Sequence, residues 1–451
     1  MKTAEKVRQK IQLSDHFTYG RLMRFCFPSM VMMVFTSIYG VVDGFFVSNF
    51  VGKTPFAAIN LVMPFVMVLG GFGFMIGTGG SALVSMTLGM GERERANRYF
   101  SLLIAFTVVL GIGLSVLGIV MMRPISIWLG ATEAMLEDCV VYGRTVLIFN
   151  TAYMLQNVFQ TFLTTAEKPR LGLLATVAAG LTNMVLDGLF IAVFHWGVAG
   201  AALATGISQV VGGVLPLLYF ARPNGSLLRL VRPEFEGGVL LKTCINGSSE
   251  LMTNISGSLV SIVYNFQLLR FAGEDGVAAY GVLMYVQFIF IAIFFGYTIG
   301  AGPIVGYHYG AGNHGEMKNL LIKSMTFTLS AGAAMMVLAQ LLAEPLARMF
   351  VGYDAGLLEM TTHAFRLFAF SFLLAGVNIF ASAFFTALNN GVVSAAISFL
   401  RTLVFQLLSV LLLPVFFGLD GIWWAITVAE VCACLISLGF LAAKRKAYHY
   451  L

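Results

Sequence analysis

Apolar residues gather along the chain in twelve runs, bounded by charged residues or by Gly, Pro and Asn. The runs cover 25–50, 55–88, 99–122, 139–164, 171–194, 198–220, 240–270, 277–309, 320–343, 361–388, 391–416 and 420–443. A helix that crosses a bilayer needs about 20 apolar residues. Each run therefore predicts one crossing, and the longer runs predict tilted or bent helices. Pro28, Pro64 and Pro303 are candidate kink points.

The pattern repeats. A shift of 221 residues lays the second half of the chain on the first without a gap over a long stretch. Phe50-Val51-Gly52 meets Phe271-Ala272-Gly273, and Gly89-Met90-Gly91 meets Gly310-Ala311-Gly312. Pro124 meets Pro345, Asn157 meets Asn378, and Gly197 and Gly200 meet Gly418 and Gly421. Six crossings per copy is an even number, so both copies enter from the same side. The predicted fold is an all-α membrane protein of twelve transmembrane helices in two pseudo-symmetric six-helix lobes, a parallel repeat. Such copies are related by an axis along the membrane normal, an arrangement typical of transporters. The N-lobe is expected over 1–220, a cytoplasmic linker over 221–242, and the C-lobe over 243–451.

Composition agrees with a membrane protein. Of 451 residues, 59% are hydrophobic and 11% charged, against roughly 25% charged in soluble domains. Cytosolic enzymes, secreted disulfide scaffolds and nucleic-acid binders become poor readings. The five cysteines form no CxxC or Cys/His cluster, so neither a disulfide frame nor a zinc site is indicated. The first apolar run lacks a signal-peptide cleavage site and is read as a retained helix. With the N-terminus inside, 20 of the 27 Lys and Arg fall in cytoplasmic segments, Lys2, Lys6, Arg8 and Lys10 among them. Six fall outside and Arg401 lies within a helix. The basic residues thus predict both termini in the cytoplasm.

Charges within the bilayer are expensive and need a reason. Four acids lie deep: Asp43, Asp187, Glu250 and Glu430. At 1.5 Å per residue, Asp43 lies about 27 Å along the first helix and Asp187 about 24 Å along the fifth. Both reach the outer half of the N-lobe. Asn183 shares a face with Asp187, and Thr205 lies about 10 Å below the outer start of the sixth helix. Two carboxylates, an amide and a hydroxyl could converge there. Such oxygens suit a small hard cation such as Na+, and a carboxylate pair could equally share a proton. A hydrogen-bonded cluster that only joins helices is the plainer reading, but two acids without a base make costly glue. The second copy holds Tyr264, Leu408, Val404 and Ile426 in place of Asp43, Asp187, Asn183 and Thr205. That asymmetry favours a specialised ion site in the N-lobe.

Two polar stripes follow helical spacing. The seventh helix carries Glu250, Asn254, Ser258, Ser261 and Asn265, and the fourth carries Asn150, Tyr153, Asn157, Gln160 and Thr164. Such faces avoid lipid and line either a helix contact or a wet cavity. Glu250, Asn254, Ser258, Asn150, Tyr153, Asn157 and Gln160 are candidate cavity residues. Met33, in the Met-rich run of the first helix, is a further candidate for an adaptable pocket, although core packing is commoner for such a run. Arg401 and Glu430 are placed to form a structural ion pair, and His308 and Tyr309 to sit at an interface. Gly52-Lys53-Thr54 is not a phosphate loop, since Val47 stands where a Gly is required. No cofactor site and no hydrolytic constellation stands out, so no enzyme activity is expected.

Val42-Asp43-Gly44 and Asn183-Met184-Val185-Leu186-Asp187 resemble the multidrug and toxic compound extrusion (MATE) family. Gly273-Glu274-Asp275-Gly276-Val277-Ala278-Ala279-Tyr280-Gly281 and Tyr307-His308-Tyr309-Gly310-Ala311-Gly312-Asn313 look like its bacterial multidrug branch. The resemblance implies a monomeric antiporter in the bacterial cytoplasmic membrane, exporting cationic amphipathic drugs in exchange for H+ or Na+. It implies an N-lobe cation site at Asp43, Asn183, Asp187 and Thr205, and a functional role for Glu250. No acid occurs in 367–388, so the C-lobe ion site of some members is not expected. A flippase for lipid-linked oligosaccharides is the alternative, but its cavity should be rich in Arg or Lys. A channel or receptor is a third reading.

Overall fold

The computed structural model describes residues 11–450; Lys2, Lys6, Arg8 and Lys10 lie outside the described residues. Helices account for nearly all of the chain. The first lobe comprises α1 (Tyr19–Phe50), α2 (Lys53–Gly89), α3 (Arg93–Trp128), α4 (Glu133–Ile148), α5 (Asn150–Thr165), α6 (Pro169–Asp187) and α7 (Gly197–Ala221). A π-helical segment, Gly188–Val193, extends α6. The second lobe comprises α8 (Gly237–Gly310), α9 (His314–Val351), α10 (Ala355–Phe368), α11 (Phe372–Ala387), α12 (Gly391–Phe399), α13 (Phe405–Phe417) and α14 (Leu419–Tyr448). A second π segment, Leu400–Val404, joins α12 to α13. Side-chain caps start several of these helices: Thr18 for α1, Asn313 for α9, Asp354 for α10 and Asn390 for α12.

The elements map onto twelve crossings once two irregularities are recognised. α8 has 74 residues, about 110 Å if straight. It is not straight: Gly273 adopts φ 63° and ψ −149°, and the chain reverses there. The rings of Tyr264 and Tyr280 then stack 5.1 Å apart, where a straight helix would hold them about 24 Å apart. Conversely, α4 and α5 form one crossing interrupted at Phe149, and α10 and α11 one crossing interrupted at the equivalent Phe370. Pro28, Pro64 and Pro303 all lie within continuous helices.

The repeat extends to the backbone. Positive φ occurs at Gly52 and Gly273, at Gly91 and Gly312, and at Gly197 and Gly418, each pair 221 residues apart. A side chain is strained at such angles, which explains glycine at both copies of each turn.

The lobes meet chiefly at one end, with a last contact farther in where Ser37 donates to the Phe288 carbonyl at 3.4 Å. At the face that carries both ends of the described chain, two apolar cores draw on both lobes: Leu13, Phe17, Phe25 and Cys26 pack with Tyr297, Ile304 and Phe384, while Leu251 and Tyr307 join Met75 and Leu83. The seam is close because glycines line it. A Cβ at Gly89 would overlap the Tyr307 carbonyl, and one at Gly310 the Met86 carbonyl, a reciprocal pair under the repeat. Asn246 donates to the Gly79 carbonyl at 3.4 Å and Asn389 to the Ala82 carbonyl at 3.2 Å. Toward the opposite face each lobe has its own core, one built from Val47 to Ala202 and the other from Val260 to Ile426. The cleft between the lobes therefore opens on that face.

Residues 11–18 form a strap across the seam. The Leu13 amide donates to Glu167 in the N-lobe at 2.8 Å, and the Phe17 amide to Glu316 in the C-lobe at 2.9 Å. His16 Nδ1 lies 2.7 Å from Glu316, and Lys323 Nζ donates to the Phe17 carbonyl at 2.6 Å. Leu13 and Phe17 are fully buried. His308, expected at an interface, is instead buried against the Phe17 ring, 6.4 Å between centroids. The strap covers the helix end that would otherwise have been exposed.

Candidate functional site

Small residues bring α1 onto α6. Gly180, Asn183 and Asp187 share one face of α6, and Phe35, Tyr39 and Asp43 share one face of α1. Gly180 leaves no room for a Cβ because the Phe35 and Tyr39 rings press against it. In that register the Asp43 carboxyl meets both the Asp187 carboxyl and the Asn183 side chain. Asp187 is fully buried and Asn183 is 2% exposed, while Asp43 is partly exposed.

No cationic side chain pairs with either acid among the described residues. Among the described residues, Asp43 Oδ1, both Asp187 oxygens and Asn183 Oδ1 are buried with no partner at full hydrogen-bonding geometry. Thr205 Oγ1, on the neighbouring α7, is buried and unpartnered as well. Thr205 lies about 12 Å from the start of α7, a depth close to that of Asp187. Unpaired buried oxygens are costly, and native interiors rarely keep several together. This donor set fits a hard cation held by oxygens, or a proton shared between the acids. Asp187 also ends the regular α-helix, and the π segment begins at Gly188. Such segments occur often at functional sites. One neighbour of the site escaped the sequence reading: Tyr39, four residues before Asp43 on α1, whose ring packs against Gly180 beside Asn183. The four-residue step from Tyr39 to Asp43 was the available signal.

The stripe on α8 is placed differently. Glu250, Asn254, Ser258, Ser261 and Asn265 are all partly exposed. Glu250 lies about 20 Å from the terminal face, and its carboxylate has no hydrogen bond or ion pair among the described residues. Beside it, Leu251 and Asn254 close on Gly71 of α2, which makes this level the floor of the cleft. Met33 and Tyr153 are also partly exposed. The remaining α5 candidates are not on the cleft. Asn150, Asn157 and Gln160 are buried inside the N-lobe, and Asn157 donates to the Gly70 carbonyl at 3.2 Å. The Asn157 face of α5 is a helix contact, because α2 lies over it: the Tyr153 ring fills the space a Cβ at Gly70 would need, while Gln160 turns toward α6 and α7 beside Thr176 and Gly212.

The C-lobe holds a compensated version of the same interior. Arg401 donates from Nε and Nη2 to Glu430 at 2.8–3.0 Å, and Asn378 donates to Glu430 Oε2 at 2.7 Å. The Tyr264 ring occupies the position equivalent to Asp43.

The MatE family model matches residues 28–189 and 251–411, once in each lobe. The multidrug export protein MepA of Staphylococcus saprophyticus is 26% identical over 427 residues, covering 92% of each chain. MepA of Staphylococcus haemolyticus is 25% identical over 434 residues, covering 95% of each. A solved structure, the outward-facing conformation of a multidrug resistance MATE family transporter of the MOP superfamily, superposes with a TM-score of 0.92. It shares 22% identity and covers 99% of this chain and 100% of its own.

Proposed function

The chain belongs to the MatE family, and we propose that it is a secondary multidrug antiporter working by alternating access. It exports cationic amphipathic compounds in exchange for H+ or Na+. The observation that carries the coupling is the meeting of Asp43, Asp187 and Asn183 with their oxygens unpaired. The names of the staphylococcal relatives support drug export. The excess of basic residues puts the terminal face, and so both termini, in the cytoplasm. On that orientation the cleft opens outward, and the protein acts as a monomer in the bacterial cytoplasmic membrane.

The cycle follows from the geometry. The outward cleft admits the ion to the acid pair, which neutralises the unpaired oxygens. That changes how α1 packs on α6 and weakens the cleft's hold on drug. The lobes then rock about their seam, the cytoplasmic side opens, and the ion leaves as a new drug enters. Glu250, with no partner among the described residues at the floor of the cleft, attracts the cationic part of the drug. The flippase reading loses its basis here, because Arg401, the basic residue deep in the bundle, is tied to Glu430.

Ethidium counterflow in proteoliposomes, with sodium and proton gradients imposed separately, tests the proposal. One gradient should drive uptake, and Asp43→Asn and Asp187→Asn should each abolish it. Undiminished gradient-driven transport in both variants removes the mechanism, and dissipation of a gradient without counterflow would mark a channel.

A further inference from the structure

At the terminal face, opposite the mouth of the cleft, the first turns of α8 and α12 border a crevice of about 190 Å³. Gly238, Lys242, Asn246, Asn389 and Gly391 line it, and no acid does. It is smaller than the roughly 300–1,000 Å³ of pockets that take drug-sized molecules. Two helices begin here. The amides of a first turn find no carbonyl within their own helix and carry partial positive charge. Glycine at 238 and at 391 leaves both helix starts bare of side chain. Lys242, in the second turn of α8, is exposed and has no ion pair or hydrogen bond among the described residues. Asn246 is 2% exposed. Its Nδ2 donates to the Gly79 and Thr386 carbonyls at 3.4 and 2.9 Å, but its Oδ1 has no partner. A buried acceptor in that state calls for a donor.

Positive groups for an anion, and one acceptor for a donor, describe a phosphate that also carries a hydroxyl. The rim adds an apolar requirement, because Leu241, Ile245 and Val392 are exposed beside the crevice. Floor and rim together suit an amphiphile. The other lobe supplies a contrast. The repeat partners of Gly238 and Asn246 are Phe17 and Phe25, two buried rings 6.2 Å apart. Arg21, the counterpart of Lys242, donates to the His16 carbonyl at 3.3 Å. The N-lobe satisfies these positions from its own chain, and the C-lobe leaves them open.

We propose that the crevice binds the headgroup of an anionic, hydroxyl-bearing glycerophospholipid, such as phosphatidylglycerol, from the leaflet at the terminal face. The phosphate lies against Lys242 and the two helix starts. A headgroup hydroxyl donates to Asn246 Oδ1, and the acyl chains run along Leu241, Ile245 and Val392. Asn246 and Asn389 also reach across the seam to the Gly79 and Ala82 carbonyls of α2. A lipid seated on these two residues therefore favours the state in which the terminal face is shut. The site goes beyond the antiport reading, and headgroup binding is measured without transport.

The test titrates the full-length protein in detergent micelles with dioleoylphosphatidylglycerol and counts bound lipid by native mass spectrometry. Gly238→Leu places a side chain where a Cβ meets no atom within 4 Å, and Lys242→Gln removes the charge. Each should weaken phosphatidylglycerol binding at least tenfold. Lys318→Gln, at an exposed lysine of α9 on the same face, should stay within twofold of wild type. In nanodiscs, phosphatidylglycerol in place of phosphatidylcholine should raise the ratio of shut to open terminal faces at least fivefold, read by spin-label distances, and neither crevice variant should respond. Binding within twofold of wild type in both crevice variants overturns the site. So does an equal loss in Lys318→Gln, which marks general charge attraction. Equal binding of phosphatidylethanolamine overturns the anionic headgroup, and displacement by an equal concentration of glycerol 1-phosphate overturns the lipid source. Distances that ignore bound lipid overturn its hold on the seam. None of these readouts needs an ion gradient, so failure of the antiport reading shows separately, in the ethidium assay.

Discussion

The Arg401–Glu430 pair lends itself to a double-mutant cycle. Both side chains are at least nine-tenths buried, and the pair is joined by N–H···O contacts of 2.8–3.0 Å with Asn378 as a further donor. Arg401→Met leaves the Glu430 charge buried with only the Asn378 amide to solvate it. Glu430→Met leaves the guanidinium with no acceptor of its own. Breaking one side of a buried pair costs about 3–5 kcal/mol, whereas replacing both partners by apolar residues is often neutral. Each single variant should therefore lose about 3–5 kcal/mol, and the double variant should lie within about 1 kcal/mol of wild type. Unfolding in mixed micelles titrated with denaturing detergent measures all four proteins under one condition. The double variant should also retain drug transport, since the pair only holds the π segment at 400–404, α14 and α11 together. Single variants that lose less than about 1 kcal/mol, or a double variant worse than either, would refute the reasoning. A stable double variant without transport would move the pair into the mechanism.

Other expectations follow from the seam and the cleft. Gly89→Val places a side chain against the Tyr307 carbonyl and should block closure of the terminal face; spin-label distances across that face should lengthen and ethidium efflux should fall more than tenfold. Phe17→Ala removes a fully buried ring from a strap that spans both lobes. The population open at the terminal face should rise at least tenfold, about 1.4 kcal/mol, read by the same distances or by cysteine labelling at the seam. Glu250→Gln should weaken binding of cationic drugs roughly tenfold, about 1.4 kcal/mol, and leave neutral compounds unaffected; equal weakening of both classes would argue against a charge role.

The periodic features of this fold were readable because they recur in the chain. Twelve apolar runs and a 221-residue shift reveal two lobes, and the shift carries through to the left-handed glycines at 52 and 273. The depth of Asp43 and Asp187 followed from counting 1.5 Å per residue, and their meeting depended on matching depths in one lobe. What escaped was set by partners far away in sequence. The break at Phe149 has no glycine or proline to announce it. The strap at 11–18 escaped because the backbone amides of Leu13 and Phe17, which no side-chain pattern reports, bind the distant carboxylates of Glu167 and Glu316. On α5, Asn150, Asn157 and Gln160 form a stripe that periodicity alone could not assign to a wet cleft or a dry contact. The neighbouring helices decide the matter, α2 for Asn157 and α6 with α7 for Gln160, and no pattern within α5 reports its neighbours.

The separate outer cores of the two lobes have a mechanical consequence. Where the halves part, neither uncovers an unfinished interior, so each behaves as a stiff jaw and flexing is confined to the shared joint. Substitutions that harden a jaw should raise heat resistance without slowing turnover, while modest changes along the joint should alter speed with little effect on melting.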